Sequence, residues 1–529
     1  MLVLCAGHLW LQFRAIESTL PYPHDVDEGY VAGPAARTVV TGTLHPYNFI
    51  YGSLPKYLAA VGMAVGFVSA ASHNEIREIE RLGNAGYPYY DTPRALKSAR
   101  QLFSVLSIVT LIATGIAAWL AFGRPAAVAL APLVLSASPL FFYHSWTYLN
   151  VDIVGACFGM IAVAAALRAI DEPTLLRAAV VPGIFAGLAT GSKYTFVLAV
   201  LPALLAIAFY VTPGRRIAAA LTAMAAMVLA FLVVVPYSLI DIPLFLNGVA
   251  FSAAHYSGGH AGFEAEPGLA QVIYYLNHFA TDFGIPGLVL ASIGIAALAV
   301  RDWRRAGVLL VFPAALLWML VSHRVHFTRN ALGLHPIVAV FIAYGAVVVH
   351  GWAVRMTLRR GWIAPRKQRA AGVVAAVLLL GAAVPPAHAW DLLRDRTDSR
   401  KRALVWIERR LPAGWSIVIP AQLAFDVRPL QARGARVVVV DFRSATSGDQ
   451  LRGLLGDVQE PAVILAPRWG ADARFEGREL ADVLNHLSAP WRVEATFGTN
   501  PVLVNYSQPN PWGDPAFAIA TFDRRRIGE

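Results

Sequence analysis

Leu102–Phe122 reads LFSVLSIVTLIATGIAAWLAF, 21 consecutive residues without a charged side chain. A helix of that length is about 30 Å long, the thickness of a bilayer's hydrocarbon core. Backbone amides find no water in that layer, so a lone crossing segment satisfies them as a helix. Comparable blocks recur at roughly Leu54–Ala71, Ala126–Phe142, Ile153–Leu167, Ala178–Ala189, Phe196–Val211 and Ile217–Val235. Others follow at about Ile285–Val300, Ala306–Val321, Ala331–Val349 and Gly372–Pro385. Over all 529 residues, 57% are hydrophobic and 15% charged, with a mean hydropathy of +0.54. Soluble domains are roughly 25% charged, so a disordered chain and an ordinary large cytosolic enzyme are both excluded. The chain reads as mainly α, a polytopic helical membrane protein.

The first apolar stretch, Leu2 to about Ile16, is short for a span. It reads as part of a longer helix begun upstream of Met1 or as a shallow one; no small-residue cleavage site follows it. The net charge of +11 sits mostly in short clusters between blocks. These are Arg124, Arg168 with Arg177, Arg215 with Arg216, the trio Arg301, Arg304 and Arg305, and a run from Arg355 to Arg369. The positive-inside rule assigns such clusters to the cytoplasm, so they mark orientation and call for no nucleic-acid partner. The remaining loops then face outward, including Glu17–Tyr51, Asn150–Asp152, Ser192–Tyr194, Tyr237–Phe283, Ser322–Asn330 and everything after Trp390. For this alternation to hold, Leu54–Ala71 is predicted to lie as an interfacial or re-entrant helix rather than to cross. Cys5 and Cys157 both fall in apolar blocks, and neither a disulfide framework nor a zinc spacing emerges.

Texture changes at Trp390, which divides a membrane domain, 1–389, from an extramembrane one, 390–529. A helix is expected over Asp398–Arg410, with further helical stretches at Gln450–Leu455 and Glu479–Leu487. Short β-branched runs lie between, at Ser416–Ile419, Val437–Val440, Val463–Ala466, Val493–Phe497 and Val502–Val504. Strands alternating with helices make a small α/β domain. It carries no glycine-rich phosphate loop.

Ion and proton transporters usually carry ionisable groups near the membrane midplane. Here the polar chemistry collects at the outward ends of the spans. The first outward loop holds His24-Asp25-Val26-Asp27-Glu28 ahead of a helix expected over Tyr30–Val40. Asp25-x-x-Glu28 fits a capping pattern; a carboxylate poised to take a proton from an attacking hydroxyl fits equally. Tyr148-Leu149-Asn150-Val151-Asp152 follows at a second mouth, where Asp152 is either a helix cap or a second acid facing the same cavity, with aromatic walls for a sugar. Lys193, beside Tyr194, either snorkels to the interface or neutralises a phosphate. Arg324 and Arg329, before His335-Pro336, anchor the chain or grip phosphate oxygens bidentately. No tight ligand spacing supports a metal, and no cofactor is expected.

With these stretches in order, the chain resembles the GT-C superfamily of polyprenyl-phosphate-sugar glycosyltransferases. The likeness is strongest to the branch of protein O-mannosyltransferases and lipid A aminoarabinose transferases. It rests on Asp27-Glu28, His45-Pro46-Tyr47, Ser53-Leu54-Pro55-Lys56, Asn150-Val151-Asp152, Gly187–Tyr194 and the Arg329 segment. Family members often show Pro-Pro-Leu at Ser53-Leu54-Pro55 and Arg-Tyr at Arg329-Asn330. The resemblance implies an inverting transfer from a polyprenyl-phosphate sugar to a lipid, glycan or protein acceptor at the outer face of the plasma membrane. Asp27 would be the base, Glu28 and Asp152 its acidic companions, and Lys193, Arg324 and Arg329 the phosphate ligands. His24, Asp25, Tyr148, Asn150 and Tyr194 would line the cavity. A transporter or flippase for a lipid-linked or small solute, and a noncatalytic assembly protein, remain open alternatives.

Overall fold

The computed structural model describes residues 1–359 apart from 23, 24, 26, 85–91, 173, 261 and 262. Beyond them it describes 397–412, 414–423, 425–441, 453, 458, 462–467, 493–497 and 517–522. The block at Gly372–Pro385, the expected boundary at Trp390, the helices expected at Gln450–Leu455 and Glu479–Leu487, and the run Val502–Val504 all lie outside the described residues.

The membrane part opens with α1 (Leu2–Thr19), α2 (Glu28–Thr41), α3 (Leu54–Ser72), α4 (Glu80–Asn84) and α5 (Pro93–Phe122). Next come α6 (Pro125–Ser136), α7 (Pro139–His144), α8 (Val151–Asp171), α9 (Val181–Ser192), α10 (Leu201–Tyr210) and α11 (Arg216–Val234). It closes with α12 (Tyr237–Ile240), α13 (Ile242–Gly258), α14 (Leu269–Arg301), α15 (Trp303–Val321) and α16 (His335–Arg359). Among the described residues seven helices are long and apolar enough to cross a membrane, and three shorter apolar ones accompany them. The protein is a multi-pass membrane protein.

The bundle has two chemically distinct ends. At one, Arg305 donates to the Leu120 carbonyl and pairs with Asp171 at 2.7 Å, while Arg301 donates to the Phe122 carbonyl. The ends of α5 and α8 and the α14–α15 turn therefore meet, as the shared basic character of their loops requires. At the other end the starts of α5 and α8 meet the segment before α2. α3 is long and apolar enough to cross, and the residues flanking it make contacts at that second end. Glu75, just past α3, pairs at 2.6 Å with Arg94 at the start of α5, and Gly52, just before it, abuts the backbone of Gly191 where α9 ends.

Two expected elements come out differently. The block Ala126–Phe142 is broken into α6 and α7 at Ser138, whose hydroxyl donates to Asp282 at 2.5 Å. Tyr237–Phe283, read as a loop, is largely helical, holding α12, α13 and the first half of α14. α14 itself bends at Gly284, where φ is +71°, two residues before Pro286. Asp282 lies at that bend, fully buried, and also accepts from the Leu140 amide and faces His335 Nε2 at 3.2 Å. It is a buried acid that a count of charges in apolar blocks misses, because the bend places it outside the Ile285–Val300 run.

The C-terminal part contains α17 (Ser399–Arg410), one residue shorter than expected because Asp398 is its N-cap, its side chain accepting from the Arg400 amide. α18 (Arg428–Ala432) and five strands follow, β1 (Ser416–Pro420), β2 (Arg436–Val440), β3 (Ala462–Pro467), β4 (Val493–Phe497) and β5 (Phe517–Phe522). The sheet order is β2-β1-β3-β5-β4, with β1 parallel to β2 and β3 and β5 antiparallel to β3 and β4. Four strands match the β-branched runs; β5, FAIATF, was not among them.

α14 and α16 pack backbone to backbone through Gly294 and Gly345: a Cβ on Gly345 would overlap the Leu290 carbonyl, and one on Gly294 that of Phe341. Overpacking costs typically about 1–3 kcal/mol where side chains can adjust, and here backbone has to move. Gly345→Val is expected to lower the thermal unfolding midpoint in detergent markedly. Gly214→Ala, at a position open to solvent, is expected to leave it unchanged.

Candidate functional site

The segment between α1 and α2 places three carboxylates with three separate fates. Asp25 Oδ1 accepts from the Asp27 amide at 2.9 Å, the bond of an Asx turn. Asp27 occupies the N-cap position of α2 but makes no capping bond. Its Oδ2 instead accepts from Tyr51 Oη at 2.8 Å and from Arg329 Nη2 at 2.6 Å. Glu28 turns the opposite way, fully buried against Arg100, which donates Nε and Nη2 to its two oxygens at 2.8 and 2.6 Å. The capping box expected from Asp25-x-x-Glu28 is thus not formed, because each acid finds a cation or a tertiary donor.

Arg329 sits on a 3₁₀ turn, Thr328–Ala331, between α15 and α16. Its guanidinium spans Asp27 and, at 3.5 Å, Asp25, and it lies 4.4 Å from the Phe327 ring centroid. The next residue, Asn330, accepts through Oδ1 from Lys193 Nζ at 2.8 Å and from Tyr256 Oη at 3.2 Å. Lys193, at the end of α9, also donates to Asp152 Oδ1 at 2.7 Å. Asp152 is in the first turn of α8; the cap is Asn150, which accepts from the Asp152 amide and donates to Tyr148 Oη at 3.0 Å. Two acid–cation pairs, Asp27–Arg329 and Asp152–Lys193, are therefore joined through the Arg329–Asn330 dipeptide. Tyr194 completes the floor by donating to the Phe49 carbonyl, two residues from Tyr51.

Most of the expected residues converge here: Asp25, Asp27, Tyr148, Asn150, Asp152, Lys193, Tyr194 and Arg329. Arg324 does not; it is half exposed and pairs with Glu266 at 2.9 Å. Glu28 borders the site without opening into it, and His24 lies outside the described residues. Tyr51, Tyr256, Asn330 and Arg100 were missed, since each acts through a partner remote in sequence. Lys56 also stands out: it is 1% exposed and donates to both oxygens of Asn48, with no carboxylate among its described partners. His144 is another missed neighbour, its ring 5.8 Å from that of Tyr148. Among the described residues no cluster could hold a metal ion. A groove of about 590 Å³ between α5 and α8, lined by Ile112, Ile116, Trp119 and Arg168, belongs to the far end of α8 and not to this site.

Burial sets the electrostatics. Asp25, 13% exposed, is pushed up to about 7, burial outweighing the nearby Arg329 charge. Tyr51 is raised well above its ordinary value, first by burial and then by the Asp27 charge, so it stays a neutral donor. Because the folded value of Asp25 exceeds the unfolded one, its contribution to stability is complete below about pH 4 and is lost as pH rises through about 7. The unfolding midpoint of the protein is expected to fall, relative to that of Asp25→Asn, between pH 5 and pH 8. A second expectation concerns Arg100, whose loss leaves Glu28 charged and buried, at about 3–5 kcal/mol. Arg100→Met is expected to be strongly destabilised and Arg100→Met with Glu28→Gln substantially restored, by thermal unfolding in detergent.

Residues 94–240 match the family model described as dolichyl-phosphate-mannose-protein mannosyltransferase. No curated protein matches the chain in sequence. The fold resembles that of ArnT from Cupriavidus metallidurans in the apo state, at 15% identity and a TM-score of 0.53, with 100% of this chain and 98% of that chain covered. The structure of ArnT from the same organism bound to undecaprenyl phosphate matches at 14% identity and a TM-score of 0.50, covering 98% and 97%. The chain thus matches this mannosyltransferase family model over residues 94–240 and shares the fold of ArnT.

Proposed function

We propose that the protein transfers a sugar, with inversion, from a polyprenyl-phosphate donor to a hydroxyl of a lipid, glycan or protein acceptor at the outward face of the membrane. The observation that carries this reading is the direct Asp27–Arg329 contact at 2.6 Å, a proton acceptor and a phosphate-binding cation held side by side. Undecaprenyl phosphate bound to ArnT, a protein of the same fold, supports a lipid phosphate as the donor's carrier. Sidedness rests on the basic loops, which cluster at the end opposite Asp27.

In this reading Asp27 takes the proton from the acceptor hydroxyl as its oxygen bonds to the anomeric carbon. The bond from that carbon to the phosphate oxygen breaks, and its electron pair leaves with the phosphate. Arg329 and Lys193 neutralise the charge that develops there. Each cation is paired with a carboxylate, Lys193 with Asp152 and Arg329 with Asp27. Asp25, with its proton affinity near neutrality, is a second acceptor within the same turn. Asp152 orients Lys193, Glu28 holds the start of α2, and Tyr148, Asn150 and Tyr194 line the sugar pocket.

A general base contributes about 10²–10⁴-fold. Asp27→Asn in lipid nanodiscs is expected to lose turnover by that factor, followed as release of free polyprenyl phosphate from a panel of polyprenyl-phosphate sugars, with membrane extract as acceptor. Full turnover in folded Asp27→Asn with loss in Asp25→Asn would transfer the base to Asp25. Absence of turnover with every donor, in a folded protein, would overturn the reading.

A further inference from the structure

The acid-bearing segment is held from three directions, and one of them is the extramembrane domain. From α5, Arg100 donates to the Thr19 hydroxyl at 3.0 Å and to the Tyr22 carbonyl at 3.1 Å. From the turn before α16, Arg329 grips Asp25 and Asp27. From the second domain, the Arg400 guanidinium lies 4.1 Å from the centroid of the Tyr22 ring. Tyr22 is 1% exposed and Arg400 fully buried.

Arg400 is itself fixed. Asp398 accepts from its Nε at 2.8 Å and its Nη2 at 2.7 Å, and the Leu423 carbonyl accepts from Nη1 at 3.2 Å. A guanidinium satisfied at its edge and desolvated over a ring face is the arrangement in which cation–π attraction is strongest. Around it the Phe425 ring lies 6.5 Å from Tyr22 and the Asp426 amide donates to Tyr22 Oη at 3.4 Å. The Asp398 amide donates to the Ser18 carbonyl, and Lys401 Nζ to that of Glu17. All of these contacts fall within ten residues of Asp27.

We propose that the C-terminal α/β domain is a working part of the active site, clamping Tyr22 so that the Asp25–Asp27 turn keeps its carboxylates on Arg329. Arg400 and Tyr22 are positioning residues: neither touches the reacting atoms, and both act through the segment that carries the acid. The clamp acts through the base held beside Arg329, so its loss falls on kcat. This catalytic consequence rests on the transfer reaction proposed above; the clamp itself does not.

The test uses the full chain in nanodiscs as wild type, Arg400→Ala, Tyr22→Leu and Tyr22→Phe, with hydrogen exchange and donor turnover measured on each. Arg400→Ala and Tyr22→Leu are expected to exchange about tenfold faster over residues 17–28, while β1 stays protected. Both are expected to lose about tenfold in kcat, and Tyr22→Phe, which keeps the ring, to match wild type. Unchanged exchange over 17–28 in either loosening variant, with β1 protected, overturns the clamp. Faster exchange with unchanged kcat overturns the positioning role. If the wild type itself turns over no donor, the reaction fails as a reading while exchange alone still decides the clamp.

Discussion

Arg100 is the constraint on which the site end depends. From the first third of α5 it reaches the last residue of α1, the linker at Tyr22 and the first residue of α2, four acceptor atoms in all. A buried ion pair of this kind adds little net stability over a well-packed apolar pair, because desolvating two charges offsets most of their attraction. Its value is geometric. A planar guanidinium with fixed donor directions accepts one arrangement of those three segments and penalises every other. Glu28 also accepts from the Leu149 amide, so the same pair sets where α8 begins and, through it, where Asp152 points.

The architecture was readable to a large degree because crossing a bilayer is decided locally. Leu102–Phe122 carries its own instruction, and the alternation of basic loops carries the next. The two ends of the bundle follow from them, Arg305 with Asp171 at one and Asp27 with Arg329 at the other. Local chemistry likewise marked the helix after Asp27 and the one that follows Asp398. The bend at Gly284 escaped notice because a helix interrupted by Gly and Pro looks, in a run of letters, like a loop followed by a span.

The site was legible in its members and illegible in its pairings. Asp27, Asp152, Lys193 and Arg329 stand out as polar residues at the ends of apolar blocks. Nothing in their spacing separates Glu28, committed to Arg100 across 72 positions, from Asp27, committed to Arg329 across 302. Arg324 and Arg329 are alike as letters, five positions apart; one is spent on an exposed Glu266 and the other is buried against two aspartates. Tyr51 and Asn330 gave no signal at all, since a tyrosine or asparagine near an interface is ordinary until its partner is known.

α3 carries a consequence for biogenesis. By hydropathy it is a segment that insertion machinery would thread through the bilayer, yet the residues flanking it, Gly52 and Glu75, meet Gly191 and Arg94 at the site end of the bundle. What holds it there is tertiary: Gly62 against the backbone of Ala99, Gly66 against that of Arg94 and Ala95. That docking surface is synthesised only after α3 itself. The docking of α3 is thus completed late, once α5 has arrived, and a side chain at either glycine would keep the two helices apart.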